Sequence, residues 1–349
     1  MPNELRGEPA RVISQIDINL GPQVAASASK AIWFVVLVPV VIVLIVLGGV
    51  FGAITQMRKA LTPVTTPFAT RDKTGGSRSA DGANAFASIA LTFGSEGIGP
   101  GMMTDARSVA TDGRGNIYVG EYSGGRVQVF DPNGNFVTQW IADTKMPLRG
   151  LSVDRKGFVY IAQRGIITRY DGQTGKSLGT LAYSEGNGFD DVTTSPEGGL
   201  VCAWYSGRDD IIRFNADAKV TQVIRAAVSS PADRSELNTR VAVDGSGNIY
   251  ALGSFTSAVF KFDRAGKFVN RFGGPGHQPG QFSGINAIAV DGRGRVFVSD
   301  IKGVQVFDSD GRYLTSFNPG GVAFGMVFND KNELLIVSRT KVMKFVVKE

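Results

Sequence analysis

The segment Ser108–Glu121, SVATDGRGNIYVGE, decides the fold. It places an Asp-Gly-x-Gly-Asn turn between two short apolar runs, which is the pattern of two antiparallel strands joined by a hairpin. Related segments begin at Gly150, Asp191, Arg240, Ala287 and Gly325. The residues that open the six turns are Asp112, Asp154, Ser195, Asp244, Asp291 and Asn329, so copies recur every 38 to 49 residues. A period of this length indicates one supersecondary unit repeated along the chain.

Each copy continues with a third strand that ends in an aromatic residue: Phe130, Tyr170, Phe214, Phe262, Phe307 and Phe345. Five copies then turn into a fourth strand, whereas the sixth copy has three strands. We expect residues 86–93 (FASIALTF) to supply the missing strand, because pairing the first strand with the last three removes an exposed sheet edge. Four strands in roughly 44 residues form one propeller blade. The prediction is an all-β, six-bladed β-propeller over residues 86–349.

The repeat resembles a known family. The pattern D-G-x-G-N-I-Y-V, followed by R-V-Q-V-F-D-x-x-G-x-F and the loop G-x-x-G-Q-F, looks like the NHL repeat. The best matches lie in the first copy, 112–136, and the fifth, 291–313. NHL propellers include peptide-amidating lyases, RNA-binding regulators and sensor domains of membrane-anchored bacterial kinases. The resemblance to the sensor domains is closest in layout, since a membrane span also precedes their propeller.

An uncharged apolar segment precedes the repeats. Residues 31–54 exceed the ~20 residues that a helix needs to cross the hydrocarbon core, which predicts a transmembrane helix and a lipid bilayer as partner. Residues 1–30 are expected to form a disordered tail, and residues 55–85, rich in Thr, Ser and Gly, a flexible linker. Lys and Arg near the span are more frequent on its C-terminal side, which favours a cytoplasmic propeller. The layout of a short tail, one span and a large domain favours export instead, and we expect export.

Composition excludes several classes of site. A single His (His277) and a single Cys (Cys202) cannot assemble a multi-histidine or thiolate metal centre, and they allow no intrachain disulfide. The histidine-ligated metal of the NHL lyases is therefore excluded. The net charge is +6, but residues 1–85 carry eight basic and five acidic residues, so half of it lies outside the propeller. That balance is too mild for a phosphate-binding face. Nucleic acid is not the expected partner, and RNA binding stays an alternative only for a cytoplasmic propeller.

The topology of a blade predicts where polar residues converge. Loops that enter the first strand and leave the second strand share one face of a propeller, around its channel, and such loops concentrate ligand contacts. The predicted ligand-binding residues on the entry side are Arg107, Arg149, Asp190, Arg240 and Asn286. Those after the second strands are Glu121, Tyr122, Gln163, Trp204, Tyr205 and Asp300.

These observations predict a membrane-tethered, non-catalytic binding, sensor or scaffold module for a protein, peptide or small polar ligand, with no metal or cofactor. Arginine beside Tyr and Trp is the composition of protein-interface hot spots. The alternative is a lactonase-like or lyase-like propeller enzyme that holds calcium through oxygen ligands. The candidate ligands for that ion are Glu121, Asp190, Asp191, Asn286 and Asp300.

Overall fold

Each copy of the repeat forms one antiparallel sheet of four strands, and six such sheets build the computed structural model, which describes residues 86–348. The predicted all-β, six-bladed propeller is confirmed. Within each sheet the strands follow the order of the sequence, from the channel outward. The exception is the sixth blade, in which a strand from the N-terminal side takes the outermost place.

The strands are as follows. Before the first blade come β1 (Ala87–Phe93), β2 (Ser95–Glu96) and β3 (Met102–Met103). Blade 1 has β4 (Ala106–Thr111), β5 (Ile117–Glu121), β6 (Arg126–Phe130) and β7 (Phe136–Ile141), and blade 2 has β8 (Gly150–Val153), β9 (Phe158–Gln163), β10 (Ile166–Asp171) and β11 (Ser177–Thr180). Blade 3 has β12 (Phe189–Thr194), β13 (Leu200–Tyr205), β14 (Asp209–Phe214) and β15 (Val220–Ile224).

The second half repeats this arrangement. A short helix, α1 (Ser229–Ala232), lies between blades 3 and 4. Blade 4 has β16 (Thr239–Val243), β17 (Ile249–Gly253), β18 (Ala258–Phe262) and β19 (Phe268–Gly273), and blade 5 has β20 (Ala287–Val290), β21 (Val296–Asp300), β22 (Gly303–Phe307) and β23 (Tyr313–Phe317). Blade 6 has β24 (Gly325–Phe328), β25 (Glu333–Ser338) and β26 (Lys341–Val347), and β1 completes it.

The ring closes between β1 and β26. These strands pair antiparallel from Ala87 opposite Val347 to Phe93 opposite Val342. The strand expected at 86–93 therefore supplies the outermost strand of blade 6. Because the chain joins its first strand to its last three, this blade has no open seam.

The repeated turn has a simple chemical basis. The carboxylate of Asp112 accepts hydrogen bonds from the backbone N–H groups of Arg114 and Asn116, from the Asn116 side chain and from the Tyr118 hydroxyl. Burial and the neighbouring Asp112 charge together raise the pKa of Tyr118 to about 12. One aspartate thus caps the hairpin and satisfies a buried phenol, which explains why Asp, Asn and Tyr recur together.

The core lies between the blades. Apolar side chains of the strands form six clusters in residues 86–348, and each cluster joins two neighbouring blades. Cys202 is fully buried in the cluster between blades 2 and 3. Burial raises the pKa of its thiol, so the side chain acts as a small apolar residue.

Blade 6 approaches blade 1 closely at Gly325. A Cβ atom at this position would lie 2.4 Å from the carbonyl oxygen of Arg107. We expect Gly325→Ala to lower the free energy of unfolding by about 2–3 kcal/mol, because two backbones must separate. Gly245→Ala is the matched control, since a Cβ there meets no atom within 4 Å, and its effect should stay within about 0.5 kcal/mol. Chemical denaturation measures both, and equal effects would contradict the close-packing explanation.

The expected tail (1–30), transmembrane helix (31–54) and linker (55–85) lie outside the residues that the structure describes. Within residues 86–348, none of the helices has the length and apolar character needed to span a bilayer.

Candidate functional site

The loops of the propeller divide between two faces. The entry face carries the loops that lead into the first strand of each blade and the loops after each second strand. The turn face carries the turns that begin at Asp112, Asp154, Ser195, Asp244, Asp291 and Asn329. The innermost strands of the six blades surround a channel of about 250 Å³ that runs between the two faces.

Four of the predicted binding residues meet at the entry-face mouth of this channel. Arg107, Arg149, Arg240 and Asn286 line it together with Asp191 and Phe324. The side chains of Arg107, Arg149 and Arg240 are 36%, 47% and 28% exposed. They come from blades 1, 2 and 4, and each lies within one residue of the start of an innermost strand. We refer to these three side chains as the arginine mouth.

Arg107 is held rigidly. Its Nε and Nη2 atoms donate to the two carboxylate oxygens of Asp105 at 2.8 and 3.1 Å. The guanidinium also lies 4.1 Å from the ring centre of Tyr122 and 5.4 Å from that of Phe324. A bidentate ion pair stacked between two aromatic rings restricts the side chain before any ligand arrives.

The other two arginines of the mouth interlock. Arg149 donates to Asp190 at 2.6 Å, and Arg240 donates to the Arg149 carbonyl oxygen at 2.6 Å and to Asp191 at 3.4 Å. Burial raises the pKa of Asp190 and of Asp191, although the neighbouring arginines act to lower it. Both carboxyls therefore hold a proton more readily than usual.

The residues predicted after the second strands have a different position. Glu121, Gln163, Trp204 and Asp300 are buried, and each bonds to the loop that enters its own blade. Glu121 accepts from the Thr104 N–H, Gln163 donates to the Asp143 and Met146 carbonyls, Trp204 donates to the Gly186 carbonyl and Asp300 accepts from the Ser283 N–H. The structure thus places these four side chains as loop anchors rather than at the channel mouth.

The two predicted tyrosines differ from each other. Tyr122 contacts the Arg107 guanidinium through its ring and so lies beside the arginine mouth. Tyr205 is half-buried at the end of β13, where its N–H donates to the Gly188 carbonyl at 2.7 Å. Unlike Tyr122, it does not stack on Arg107.

In blade 4 the buried side chain that anchors the entry loop does not come from the end of the second strand. The sequence patterns did not predict the residue that takes this role. Gly253 stands at the anchor position, and a Cβ there would lie 2.5 Å from Oε2 of Glu236. The buried Glu236 carboxylate, supplied by the entry loop, accepts from the backbone N–H groups of Leu237, Phe255 and Thr256. The only signal for it was the longer spacing between the third and fourth copies.

The entry face also carries exposed apolar side chains. In residues 86–348 every large apolar side chain that is exposed in a loop lies on this face, and the turns of the turn face have none. The residues are Ile98, Met146, Leu237, Phe255 and Ile301. A polar centre surrounded by apolar side chains on one face only is typical of a surface that another protein covers.

The candidate calcium ligands do not form one site. Glu121 and Asp300 are buried in separate blades and accept hydrogen bonds from backbone N–H groups. Asp190 and Asp191 form ion pairs with Arg149 and Arg240. Within the part of the chain that the structure describes, no group of three or more His, Cys, Asp or Glu side chains is arranged to hold a metal ion. These residues do not fit a calcium ion, which needs six to eight converging oxygens.

The fold and the mouth define the class: a six-bladed β-propeller with an NHL-like repeat and an arginine-lined channel entrance. No family model matches the chain. Protein lin-41 of Caenorhabditis elegans is 43% identical over 49 residues, which are 14% of this chain and 4% of lin-41. The chain thus spans a small part of that protein, and the match supports the NHL-like repeat.

Solved structures share the fold. A gluconolactonase from Xanthomonas campestris superposes with a TM-score of 0.56 at 17% identity, over 75% of this chain and 99% of the other. The WD40 propeller domain of Doa1 superposes with a TM-score of 0.52 at 12% identity, over 75% and 97% of the two chains. One neighbour is named for an enzymatic activity and the other for its repeat, so this similarity concerns the fold alone.

Proposed function

We propose that the chain is a membrane-tethered propeller that binds a partner protein through its entry face, in a non-catalytic sensor or scaffold role. The same mouth could instead bind a small polar ligand. The observation that carries it is the convergence of Arg107, Arg149 and Arg240 at one channel mouth from three blades. Arginine rigidified by aromatic and carboxylate contacts is a recurrent hot-spot residue of protein interfaces.

The apolar side chains favour a macromolecular partner. Ile98, Leu237, Phe255 and Ile301 are each more than two fifths exposed, and they lie in loops outside the mouth. A small ligand in the channel would leave these side chains in water. A protein that covers the face would bury them while meeting the arginines at its centre.

The proposed tether is compatible with such a partner. β1 leads directly into the loop that enters blade 1 on the entry face, so residue 86 lies on the turn face. The described part of the chain therefore begins on the face opposite the arginine mouth. Protease accessibility of the propeller in intact and lysed cells tests the expected extracytoplasmic orientation. Protection in intact cells would place the propeller in the cytoplasm and revive RNA as a partner.

The binding proposal predicts a site-specific cross-link. A photo-cross-linking residue in place of Phe255, on the entry face, should yield a covalent adduct in cells that express the full chain. The same residue in place of Phe268, on the outer strand β19 of the same blade, should yield none. The two phenylalanines are comparably exposed, at 53% and 40%, so exposure alone does not distinguish them.

The adduct should depend on the arginine mouth. Arg107→Ala combined with Arg149→Ala should abolish it with little change in melting temperature, because partly exposed ion pairs contribute about 0–1 kcal/mol each. The Arg155→Ala variant, on the turn face, should leave the adduct intact. An adduct that survives the double substitution would move the binding site away from this mouth.

A lactonase is the second candidate, favoured by the fold of the Xanthomonas gluconolactonase. The scattered carboxylates argue against it, since a calcium-dependent enzyme needs a shared oxygen cage. Purified full chain should show no calcium-dependent increase in melting temperature and no hydrolysis of glucono-lactone above the uncatalysed rate. Saturable, calcium-dependent hydrolysis would replace the binding proposal by the enzymatic one.

A further inference from the structure

The loops that enter blades 1 and 5 have the same backbone geometry. Residues 93–119 and 272–298 align without a gap, and the strands β6 (RVQVF) and β22 (GVQVF) differ only in their first residue. Four hydrogen bonds recur at nearly equal lengths in the two blades. In blade 1 they are Gly97 N–H to Met103 O, Met102 N–H to Gly99 O, Gly101 N–H to Gln128 Oε1 and Gln128 Nε2 to Met102 O. In blade 5 they are Gly276 N–H to Phe282 O, Gln281 N–H to Gln278 O, Gly280 N–H to Gln305 Oε1 and Gln305 Nε2 to Gln281 O.

In blade 1 this loop encloses a guanidinium group. Arg126, the first residue of β6, donates from Nε to Glu121 at 2.6 Å and from its Nη atoms to the carbonyls of Ile98 and Met102 at 2.6 and 2.8 Å. A third carbonyl, that of Gly99, lies 3.4 Å from Nη1. One carboxylate and three backbone carbonyls therefore surround a planar cation.

In blade 5 the arginine is missing and a cavity remains. Gly303 occupies the position of Arg126, because the hairpin before β22 is two residues shorter than the one before β6. Its φ of +146° and the carbonyl oxygen of Phe317, 2.5 Å from a Cβ at this position, leave no room for a side chain. The cavity measures about 330 Å³. Its wall includes His277, Gln278, Gln281, Asp300, Lys302 and Gln305.

The wall of the cavity is suited to a cation. The carbonyls of His277, Gln278 and Gln281 correspond to the three that surround Arg126, and Asp300 corresponds to Glu121. Asp300 is fully buried and accepts from the backbone N–H groups of Ser283 and Lys302, whereas Glu121 is paired with the Arg126 guanidinium. Lys302 donates from Nζ to the His277 carbonyl at 2.9 Å, so an exposed ammonium makes one of the contacts that Arg126 makes in blade 1.

We propose that this cavity binds the guanidinium group of an arginine side chain supplied by another molecule. The internal template is the basis: the same loop already holds a guanidinium in blade 1, and blade 5 keeps the acceptors while it lacks the donor. A guanidinium can donate to several acceptors in one plane, whereas within residues 86–348 the Lys302 ammonium donates to the His277 carbonyl only. An incoming arginine would therefore replace this single lysine contact with several hydrogen bonds.

Binding of blocked amino acids to the purified full chain tests the proposal. N-acetyl-arginine amide should bind saturably in calorimetry, and N-acetyl-lysine amide should bind about tenfold more weakly, the loss expected for one or two hydrogen bonds. Lys302→Met removes the internal competitor and should strengthen binding of the arginine probe several-fold. Free arginine distinguishes the source: weaker binding than the blocked probe indicates a peptide arginine, and tighter binding indicates the free amino acid.

Two further variants locate the site. Ser316 is an exposed residue of the cavity wall. The substitution Ser316→Trp should block binding of N-acetyl-arginine amide while the melting temperature stays unchanged. Arg126→Ala opens the template cradle in blade 1, and the arginine probe should raise its lowered melting temperature more than the lysine probe does. Equal affinity for the two probes, or arginine binding that persists in Ser316→Trp, would overturn the proposal.

This cavity is independent of the arginine mouth. Arg107→Ala with Arg149→Ala should leave the affinity for N-acetyl-arginine amide unchanged, because none of the cavity wall belongs to the mouth. Failure of the guanidinium proposal therefore leaves the entry-face proposal standing, and the reverse also holds.

Discussion

Replacing Arg126 with alanine is expected to lower the free energy of unfolding by about 3–5 kcal/mol, the range found when one partner of a buried ion pair is removed. The guanidinium lies 2.6 Å from Glu121, and the two side chains are only 12% and 5% exposed. Without Arg126, a buried carboxylate loses its counter-charge and the loop 98–102 loses the donor that holds its carbonyls. Urea denaturation followed by tryptophan fluorescence measures the loss.

Arg155→Ala is the control for this prediction. Arg155 pairs with Asp330 at 2.8 Å, but the two side chains are 77% and 56% exposed. Water replaces such a pair at little cost, so we expect a loss within about 1 kcal/mol. Similar losses for the two variants would show that burial of the Glu121 pair is unimportant.

The Arg126→Ala penalty should depend on pH. Burial acts to raise the pKa of Glu121, but hydrogen bonds from Arg126 and from the Thr104 N–H outweigh it, and the pKa is lowered. A carboxyl with a lowered folded-state pKa stabilises the protein above its ordinary value of 4.5 and loses that contribution as the pH falls through the folded value. The penalty should therefore be largest near neutrality and shrink below pH 4.5. A penalty that does not vary with pH would indicate lost packing instead of lost charge.

Asp244→Ala is expected to cost about 3–4 kcal/mol, because several hydrogen bonds to one charged group disappear together. The Asp244 carboxylate accepts from the N–H groups of Ser246 and Asn248, from the Asn248 side chain and from the Tyr250 hydroxyl. Tyr250 is fully buried, and burial together with the Asp244 charge raises the pKa of its phenol. The variant leaves this hydroxyl without an acceptor in the core. Chemical denaturation gives the loss.

Asp131→Ala is the matched control for the turn. Asp131 accepts the same backbone and asparagine hydrogen bonds, from Asn133 and Asn135, but at an exposed turn and with no tyrosine. Its loss should therefore destabilise the protein much less than the loss of Asp244 does. A Tyr250→Phe background should reduce the Asp244→Ala penalty toward that of Asp131→Ala, and an unchanged penalty would exclude the phenol as the cause.

Much of the fold follows from local patterns. The Asp112 turn, its Asn116 partner and the Tyr118 hydroxyl lie within seven residues of one another, so their hydrogen bonds depend only on the hairpin that contains them. Counting such hairpins predicts the number of blades. The closing strand 86–93 is predictable for the same reason, since the sixth copy has three strands and an edge needs a partner.

The site was predictable only in part. Residues near the start of an innermost strand reach the channel mouth because topology brings the starts of these strands together, as Arg107, Arg149 and Arg240 show. Residues after the second strands were expected to do the same, yet Glu121 and Asp300 point into their own blades. These carboxylates accept hydrogen bonds from backbone N–H groups in loops about seventeen residues earlier in the chain. The pattern of strands does not predict the paths of those loops.

Sequence alone determined the blade count, the turn chemistry and the face on which the arginines lie, because each depends on neighbours within one repeat or on the order of strands. Only the tertiary structure decided which carboxylates pair with the arginines. It also decided that Glu236 anchors the loops of blade 4, where Gly253 has no side chain to do so, and that a cavity stays open beside Gly303. Those outcomes depend on contacts between different loops and blades, and on a two-residue difference between hairpins that otherwise carry the same motif.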